Sequence, residues 1–408
     1  MPGKVTIIGG GSAGCFAAIA AAESGAAVTL LEKNPVTGKK ILATGNGRCN
    51  YCHDRVTYED MFRQEGDRFL AEVMKRFSPE DVLERFLALG ITPVNKGGYI
   101  YPYSEQARAV SDVLKRAVER NGIKLLTGCE VTDVIPEGGG FRIVCGEKEF
   151  TSGTVIMTTG GKAAPGTGSD GKGLDICRNL GHRITPPVPA LTYLVTEGSP
   201  YKKAAGTRLT AKVSIEVSGQ ILSSDTGQIQ ITKNGISGIP AFNVSRYASR
   251  ALLDKKPVRL RIRLVPDMDD GKLTEEITRR CSVSGATPYE AMTGLLPDSF
   301  ADVLLRNAGL NPDRMIDDPV KTASAICGYM TDISLRICGT GDFADAQVTC
   351  GGICLDEVDP ESMGSRVIRG LYLAGEILDM DGKCGGYNLY FAWASGYIAG
   401  CSAAGRTL

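Results

Sequence analysis

Histidine is almost missing: the 408-residue chain has two, His53 and His182, and it has one tryptophan. A histidine-built metal centre is thereby excluded, and a Ser-His-Asp triad has almost nothing to draw on. Net charge is missing too, because 46 Lys and Arg balance 46 Asp and Glu. That argues against a chain built mainly to hold nucleic acid or an anionic membrane, and it leaves room for a local basic patch. Uninterrupted apolar runs are also lacking. Val5 to Ala22 carries no charge, and Ser12-Ala13-Gly14-Cys15 imitates a lipoprotein cleavage site, but Gly9-Gly10-Gly11 breaks the run and its period then changes. No other segment is long and apolar enough to span a bilayer, so the expectation is a cytoplasmic protein. The 13 cysteines are odd in number and scattered, which reads as thiols in a reducing compartment rather than a disulfide framework. What the chain has in excess is glycine, 51 residues, with no collagen period. Many backbone positions must therefore turn tightly or approach something closely. The length suggests two or three domains, and there is no internal repeat.

The first motif explains part of the glycine. Val5–Ile8 reads as a buried strand, Ser12–Ser24 as an Ala-rich helix stopped by Gly25, and Ala27–Leu31 as a second strand ending at Glu32. Between strand and helix, Gly9, Gly11 and Gly14 fit GxGxxG, with Ser12 and Ala13 inside the motif. Gly9 permits the turn, Gly11 lets backbone approach a pyrophosphate, and Gly14 lets helix and sheet pack closely. The helix start offers free N–H groups to the phosphates. Glu32 is placed to accept from ribose hydroxyls, which FAD and NAD satisfy equally.

Farther on, Thr37–Asn50 is too polar and Gly-rich for regular structure. Helices are predicted at Tyr58–Phe77, Pro79–Leu89 and Ser104–Asn121, with a hairpin around Asn95–Gly98 and strands at Ile123–Leu126, Glu130–Ile135, Phe141–Cys145 and Thr154–Met157. Thr154–Met157 runs into Thr158-Thr159-Gly160-Gly161. From about Pro186 alternating stretches predict a β-rich insert, followed by short helices over Leu273–Asn311. Gly370–Glu376 returns to strand-then-glycine chemistry before a final helix near Leu389–Ala404.

With these pieces in order, the chain resembles the BaiN-like flavoproteins, also known as aminoacetone-oxidase-like FAD enzymes. The resemblance rests on the N-terminal cradle, on Gly45-Asn46-Gly47-Arg48-Cys49-Asn50, and on the tail from Ala374-Gly375-Glu376 through Asp379 to Gly385-Gly386-Tyr387-Asn388. It implies an α/β fold: a Rossmann-like FAD-binding domain of the glutathione-reductase type, interrupted by a β-barrel-like insert with a small helical portion. The boundaries expected are 1–187 and 346–408 for the FAD domain and 188–345 for the substrate-side insert, helical over about 270–312. By position, Gly9, Gly11, Gly14, Glu32 and Lys33 would hold the ADP half, and Lys40, Gly45, Asn46, Gly47 and Arg48 would line the flavin region. Val131 would sit by the adenine, with Thr159, Gly160 and Gly161 nearby. Gly375, Glu376, Asp379, Gly385, Gly386, Tyr387 and Asn388 would contact ribityl, pyrophosphate or ring.

The chemistry that follows is an FAD-dependent oxidoreductase. Its leading form takes electrons from NADH or NADPH, bound transiently, and reduces a C=C bond conjugated to a carbonyl, with a bile-acid or steroid-like enone as substrate. If Gly385–Asn388 open the last helix, its N–H groups and dipole favour the anionic reduced flavin. Enone reduction also needs a proton donor, for which Tyr387, Cys384, His182 and Tyr193 are the candidates. A second GxGxxG at Gly166, Gly168 and Gly171 lacks the βαβ unit of a nicotinamide site. Cys49/Cys52 and Cys350/Cys354 have dithiol spacing but no activating charge beside them, and no zinc or other metal site is expected. Two alternatives stand behind the reductase: an oxygen-dependent, aminoacetone-type amine oxidase, and a uridine reductase acting on ribosomal RNA. The RNA reading draws on the basic run Arg246, Arg250, Lys255, Lys256, Arg259, Arg261 and Arg263, and ranks behind a small-molecule substrate. Oligomeric state is left open.

Overall fold

Four β-branched residues in five make Lys4–Ile8 a strand, and burial on both faces explains why Val5–Ile8 shows no polar alternation. In the computed structural model, which describes residues 3–63 and 67–408, this strand lies at the centre of a five-stranded sheet. Ala27–Leu31 pairs parallel on one side and Thr154–Met157 on the other; Lys124–Leu126 and Leu371–Leu373 complete the edges. The chain order therefore reverses beside the first strand, and the crevice at the C-terminal ends of the strands opens there. The fold is a Rossmann-like α/β domain interrupted by a β-barrel insert with helices.

Two apolar helices cover the sheet's centre. Ser12–Glu23 is buried from Ala13 to Ala21, and it packs against Tyr387–Ala403. A Cβ on Gly396 would overlap the Ala13 carbonyl oxygen, and one on Gly400 that of Ala17. The alanines and glycines let the two backbones touch, and a side chain at either glycine would force them apart.

Contacts divide the chain into two compact units, Met1–Pro187 with Val348–Leu408, and Val188–Gln347. The second unit is a closed barrel of six strands in the order 194–196, 235–237, 220–231, 208–217, 258–264 and 333–340. Helix Ile239–Leu253 packs Ala241, Val244, Ala248 and Ala251 into the barrel's core, and helices at 270–281, 288–292, 298–307 and 319–331 extend that core.

Several elements differ from the sequence reading. Tyr58–Phe77 is not one helix: Tyr58–Asp60 is a 3-10 turn, Met61–Arg63 a strand, and only Asp67–Arg76 is α-helical. Residues 64–66 lie outside the described residues. The strand exists because it pairs with Met380–Gly382, a partner too distant in sequence for local periodicity to reveal. Helix Ile239–Leu253 escaped the reading because buried Asn243, Ser245 and Ser249 interrupt its apolar stripe. Cys129 and Cys145 were expected as thiols; they are joined as a disulfide, with Cα atoms 5.9 Å apart. The hairpin that brings Cys145 back toward Cys129 turns at Gly138-Gly139, both at positive φ. Among the described residues, no helix is long and apolar enough to cross a membrane.

Candidate functional site: a dinucleotide cradle in the first unit

The glycine turn after the first strand has three different reasons for its three glycines. Gly9 sits at φ +104 with its N–H donating to the Leu31 carbonyl at 2.8 Å. A Cβ on Gly14 would overlap the Gly9 carbonyl oxygen, so that position admits no side chain. Around a Cβ on Gly11 nothing lies within 4 Å. Gly11 is the N-cap of the helix and no side chain caps it, so the first-turn N–H groups of Ser12 and Ala13 face that open space.

Glu32, at the end of the second strand, is buried against this turn. Its Oε2 accepts the Gly10 N–H at 2.7 Å, and its Oε1 accepts both the N–H and the side-chain amide of Asn34, each at 2.7 Å. The same Asn34 amide donates to the Thr167 carbonyl at 3.1 Å, and Lys33 pairs with Asp170 at 2.9 Å. Segment 166–171, the second GxGxxG, is thus tied to the acid-bearing strand end. Val131 is buried on the chain that follows Cys129, whose N–H donates to the Glu32 carbonyl at 2.9 Å.

A second group of loops converges on the start of the last helix. Residues 41–47 form a kinked 3-10 turn in which Gly45 and Asn46 are left-handed, and Cys49 follows at φ +57. Left-handed non-glycine residues are costly and persist only where the surroundings impose them. Arg48 lies 5.3 Å above the Tyr101 ring. Gly386 caps the helix at φ +93 with no side-chain acceptor, and a Cβ there would overlap the Cys52 carbonyl oxygen and lie 2.9 Å from Asn50 Oδ1. Asn388 closes its own turn: it accepts the Gly382 N–H at 2.8 Å and donates to the Gly382 and Lys383 carbonyls. Asp379 is buried, its N–H given to the Ile353 carbonyl.

Lys40 and Glu376 meet between the two groups. Their ion pair is 2.6 Å, and Glu376 Oε1 accepts the N–H and hydroxyl of Thr349 at 3.0 and 2.9 Å. Thr349 Oγ1 in turn accepts the N–H groups of Lys162 and Ala163, which fixes the Gly160-Gly161 turn. The Gly375 N–H donates to Ser395 Oγ at 3.0 Å. Asn34, Asn50 and Thr349 are not among the residues singled out from sequence, although Asn50 closes the Gly45–Asn50 loop and Thr349 directly precedes Cys350.

The four proton-donor candidates are placed differently. Tyr387 is the first residue of the last helix and is buried; burial, with Asp60, Tyr99 and Asp54 nearby, holds its phenol above the usual tyrosine range. Cys384 lies half-buried in the turn before it. Tyr193 belongs to the second unit and donates to Asp345 at 3.1 Å, a bond that raises its phenol. His182 is buried with both ring nitrogens engaged, Nδ1 at 3.0 Å from Glu357 and Nε2 at 2.9 Å from Ser365. Burial pulls its imidazole below the ordinary value more strongly than Glu357 raises it. Burial also opposes the Glu357 charge, but donors from Arg183 and His182 outweigh it and lower that carboxyl. Both shifts have one sign for stability. Each contribution is complete above the group's unfolded value and is lost as pH falls through the folded one. The melting temperature should therefore fall as pH drops from about 7.5 to about 5, with the imidazole step absent in His182→Gln. A wild-type melting curve independent of pH over that span would contradict this assignment.

The HI0933-like protein Rossmann domain family matches residues 3–402. The chain belongs to that family. A 3-dehydro-bile acid delta(4,6)-reductase from Clostridium scindens is 40% identical over 408 residues, 99% of each chain. A ribosomal RNA dihydrouridine synthase from Haemophilus influenzae is 27% identical over 406 residues, 97% of each. A solved 3-ketosteroid-delta4-(5alpha)-dehydrogenase from Rhodococcus jostii aligns with 98% of this chain and 96% of its own at a TM-score of 0.50 and 16% identity, a likeness of fold. Each of these relatives carries an enzyme's name, and this HI0933-like chain is an enzyme.

The residues present fit an FAD. Gly11 leaves room beside uncapped helix N–H groups for a pyrophosphate, and the last helix likewise starts uncapped. Asn50 Oδ1 and Thr159 Oγ1 are buried without a partner in the protein, a condition that costs roughly 1–3 kcal/mol per group unless a ligand relieves it. The Cys49 and Cys52 thiols, by contrast, are buried and pushed up to about 12 by loss of hydration. That is the environment of inert thiols rather than of a reactive pair. No group of three or more His, Cys, Asp or Glu that could hold a metal occurs among the described residues.

Proposed function

We propose that the protein is an FAD-dependent oxidoreductase that takes electrons from NADH or NADPH and reduces a C=C bond conjugated to a ketone. A steroid-like or bile-acid-type enone is the substrate class this reading favours. The observation that carries it is the pair of uncapped helix starts joined by the Lys40–Glu376–Thr349 network, in a chain whose full-length relative is named a bile-acid reductase.

Gly9–Gly14, Glu32, Lys33 and Val131 would hold the ADP half, and Lys40, Gly45–Arg48, Thr159–Gly161, Gly375, Glu376, Asp379 and Gly385–Asn388 the flavin half. Bound there, the flavin supplies hydride and stores the electron pair. The chain's own work is orientation, electrostatics and a proton. The uncapped start of the last helix favours negative charge beside it. Tyr387, its first residue, is the proton donor we favour over Cys384 and Tyr193. His182, with both nitrogens committed to Glu357 and Ser365, is read as a clamp within the first unit. The protein works in the cytoplasm on a small molecule.

The reductase and oxidase readings separate by one experiment. Anaerobic bleaching by NADH or NADPH with slow reoxidation in air supports the reductase; bleaching by aminoacetone with peroxide release supports the oxidase. The ribosomal RNA reading has the Haemophilus influenzae relative in its favour. Against it, the basic run is split between a helix and a barrel strand, and Arg261 and Arg263 are paired with Glu216, Asp332 and Asp270. A ribosomal RNA fragment should therefore show no salt-sensitive binding at ordinary ionic strength. Tight binding that weakens steeply with salt would reverse the ranking.

A further inference from the structure

One of the two histidines, His53, lies beside the start of the last helix. His53 ends the short strand Cys52–His53, opposite Tyr99. Its ring stacks on Tyr387, with centroids 4.8 Å apart and planes at 15°, and meets the Tyr99 ring edge-on at 5.3 Å and 76°. Two glycines allow the three rings to close. A Cβ on Gly98 would lie 2.6 Å from His53 Cε1, and one on Gly385 would lie 2.9 Å from Tyr387 and 3.0 Å from Tyr99.

The imidazole is held from its far side. Nδ1 accepts the Arg55 N–H at 3.1 Å, which assigns the proton of the neutral ring to Nε2. Asp54 Oδ1 waits 3.3 Å from the same Nδ1, and its other oxygen accepts the Asn95 side-chain amide at 2.6 Å. Asn95 is fixed by the Gly98 N–H at 2.7 Å. The Arg55 N–H thus fixes the ring against the Tyr387 face, with the Asn95–Asp54 pair packed beside it.

We propose that His53 is the positioning residue for Tyr387: its stacked ring, held by the Arg55 N–H and packed edge-on against Tyr99, sets the orientation in which the phenol donates its proton. The inference rests on Tyr387 being the proton donor. Burial, with Asp60, Tyr99 and Asp54 nearby, opposes a phenolate at Tyr387, so the phenol gives up its proton only where its hydroxyl is held in line with the accepting carbon, and the stacked His53 ring fixes that line. In the enone reaction the Tyr387 O–H bond breaks and its proton goes to the carbon next to the carbonyl, while the hydride and its electron pair arrive at the other alkene carbon from the reduced cofactor. Solvent then returns a proton to the Tyr387 phenolate.

The test uses the full-length holoprotein, reduced anaerobically with NADH and mixed with a 4-ene-3-ketosteroid. His53→Ala, which removes the stacked ring, should slow flavin reoxidation by the enone about tenfold while reduction by NADH keeps its rate. His53→Phe keeps a ring against Tyr387 and should restore reoxidation to within about twofold of wild type. A His53→Ala rate equal to wild type, or a His53→Phe rate as slow as that of His53→Ala, overturns the proposal. A second measurement needs no substrate. With two histidines in the chain, the imidazole Cε1–H resonances separate readily. One should be displaced by the Tyr387 ring current and released in Tyr387→Leu, while the His182 resonance stays put. If Tyr387→Leu moves neither resonance, the stacking and the proposal fail together. If the ring current is present and no enone reoxidises the flavin, the reading of the activity fails and the positioning of Tyr387 stands.

Discussion

Gly11→Ala should fold normally and lose FAD. Its Cβ meets nothing within 4 Å, and its φ of −80° is open to any residue. Its only structural effect is a poorer helix cap, worth under about 1 kcal/mol. The methyl group nevertheless occupies the space that the uncapped N–H groups leave for a pyrophosphate. Affinity should fall roughly 100-fold, about 2.7 kcal/mol, while the apoprotein's melting temperature barely moves. Gly14→Ala is the contrasting variant. There the methyl collides with the Gly9 carbonyl and approaches Thr158 Oγ1 at 2.7 Å, so backbone must shift and the apoprotein itself should lose about 1–3 kcal/mol. Flavin fluorescence titration and apoprotein melting, measured on both variants, check the pair. Equal melting losses in the two, or full affinity in Gly11→Ala, would contradict the cradle as described.

Tyr387→Phe should keep FAD and lose turnover. The phenyl ring still stacks on His53 and the helix cap at Gly386 is untouched. What disappears is one hydroxyl, and general acid catalysis by a positioned side chain is worth about 10²–10⁴ in rate. Flavin reduction by the nicotinamide should proceed at the wild-type rate, since no proton from this phenol is needed there. Reoxidation by the enone should slow at least about 100-fold. Stopped-flow measurement of the two half-reactions separates them. A variant slowed in both, or in neither, would remove Tyr387 from the proton-donor role.

What could be read in the sequence was whatever a short window contains. The strand, glycine turn, helix and acid of the cradle are contiguous, and each constrains its neighbour, so Gly9 through Glu32 were legible before any coordinates. Segments whose identity depends on a distant partner were not. Met61–Arg63 looks helical until Met380–Gly382 lies beside it. Cys129 and Cys145 look like two more scattered thiols until a hairpin returns one toward the other. The site divides in the same way. Asn388 is placed at the cofactor by its motif, and only the fold reveals that its amide also braces the turn that presents Tyr387. His53 gave no signal, because its meaning comes from a ring carried on the other end of the chain.

The central claim is that this chain holds FAD and passes its electrons to an enone. The most direct test is to purify the full-length protein, identify its chromophore, and follow the visible spectrum without oxygen. The expected result is a yellow protein that releases FAD on denaturation, bleaches with NADH or NADPH, and regains its colour when a 4-ene-3-ketosteroid is added. A colourless protein that fails to take up FAD would contradict it.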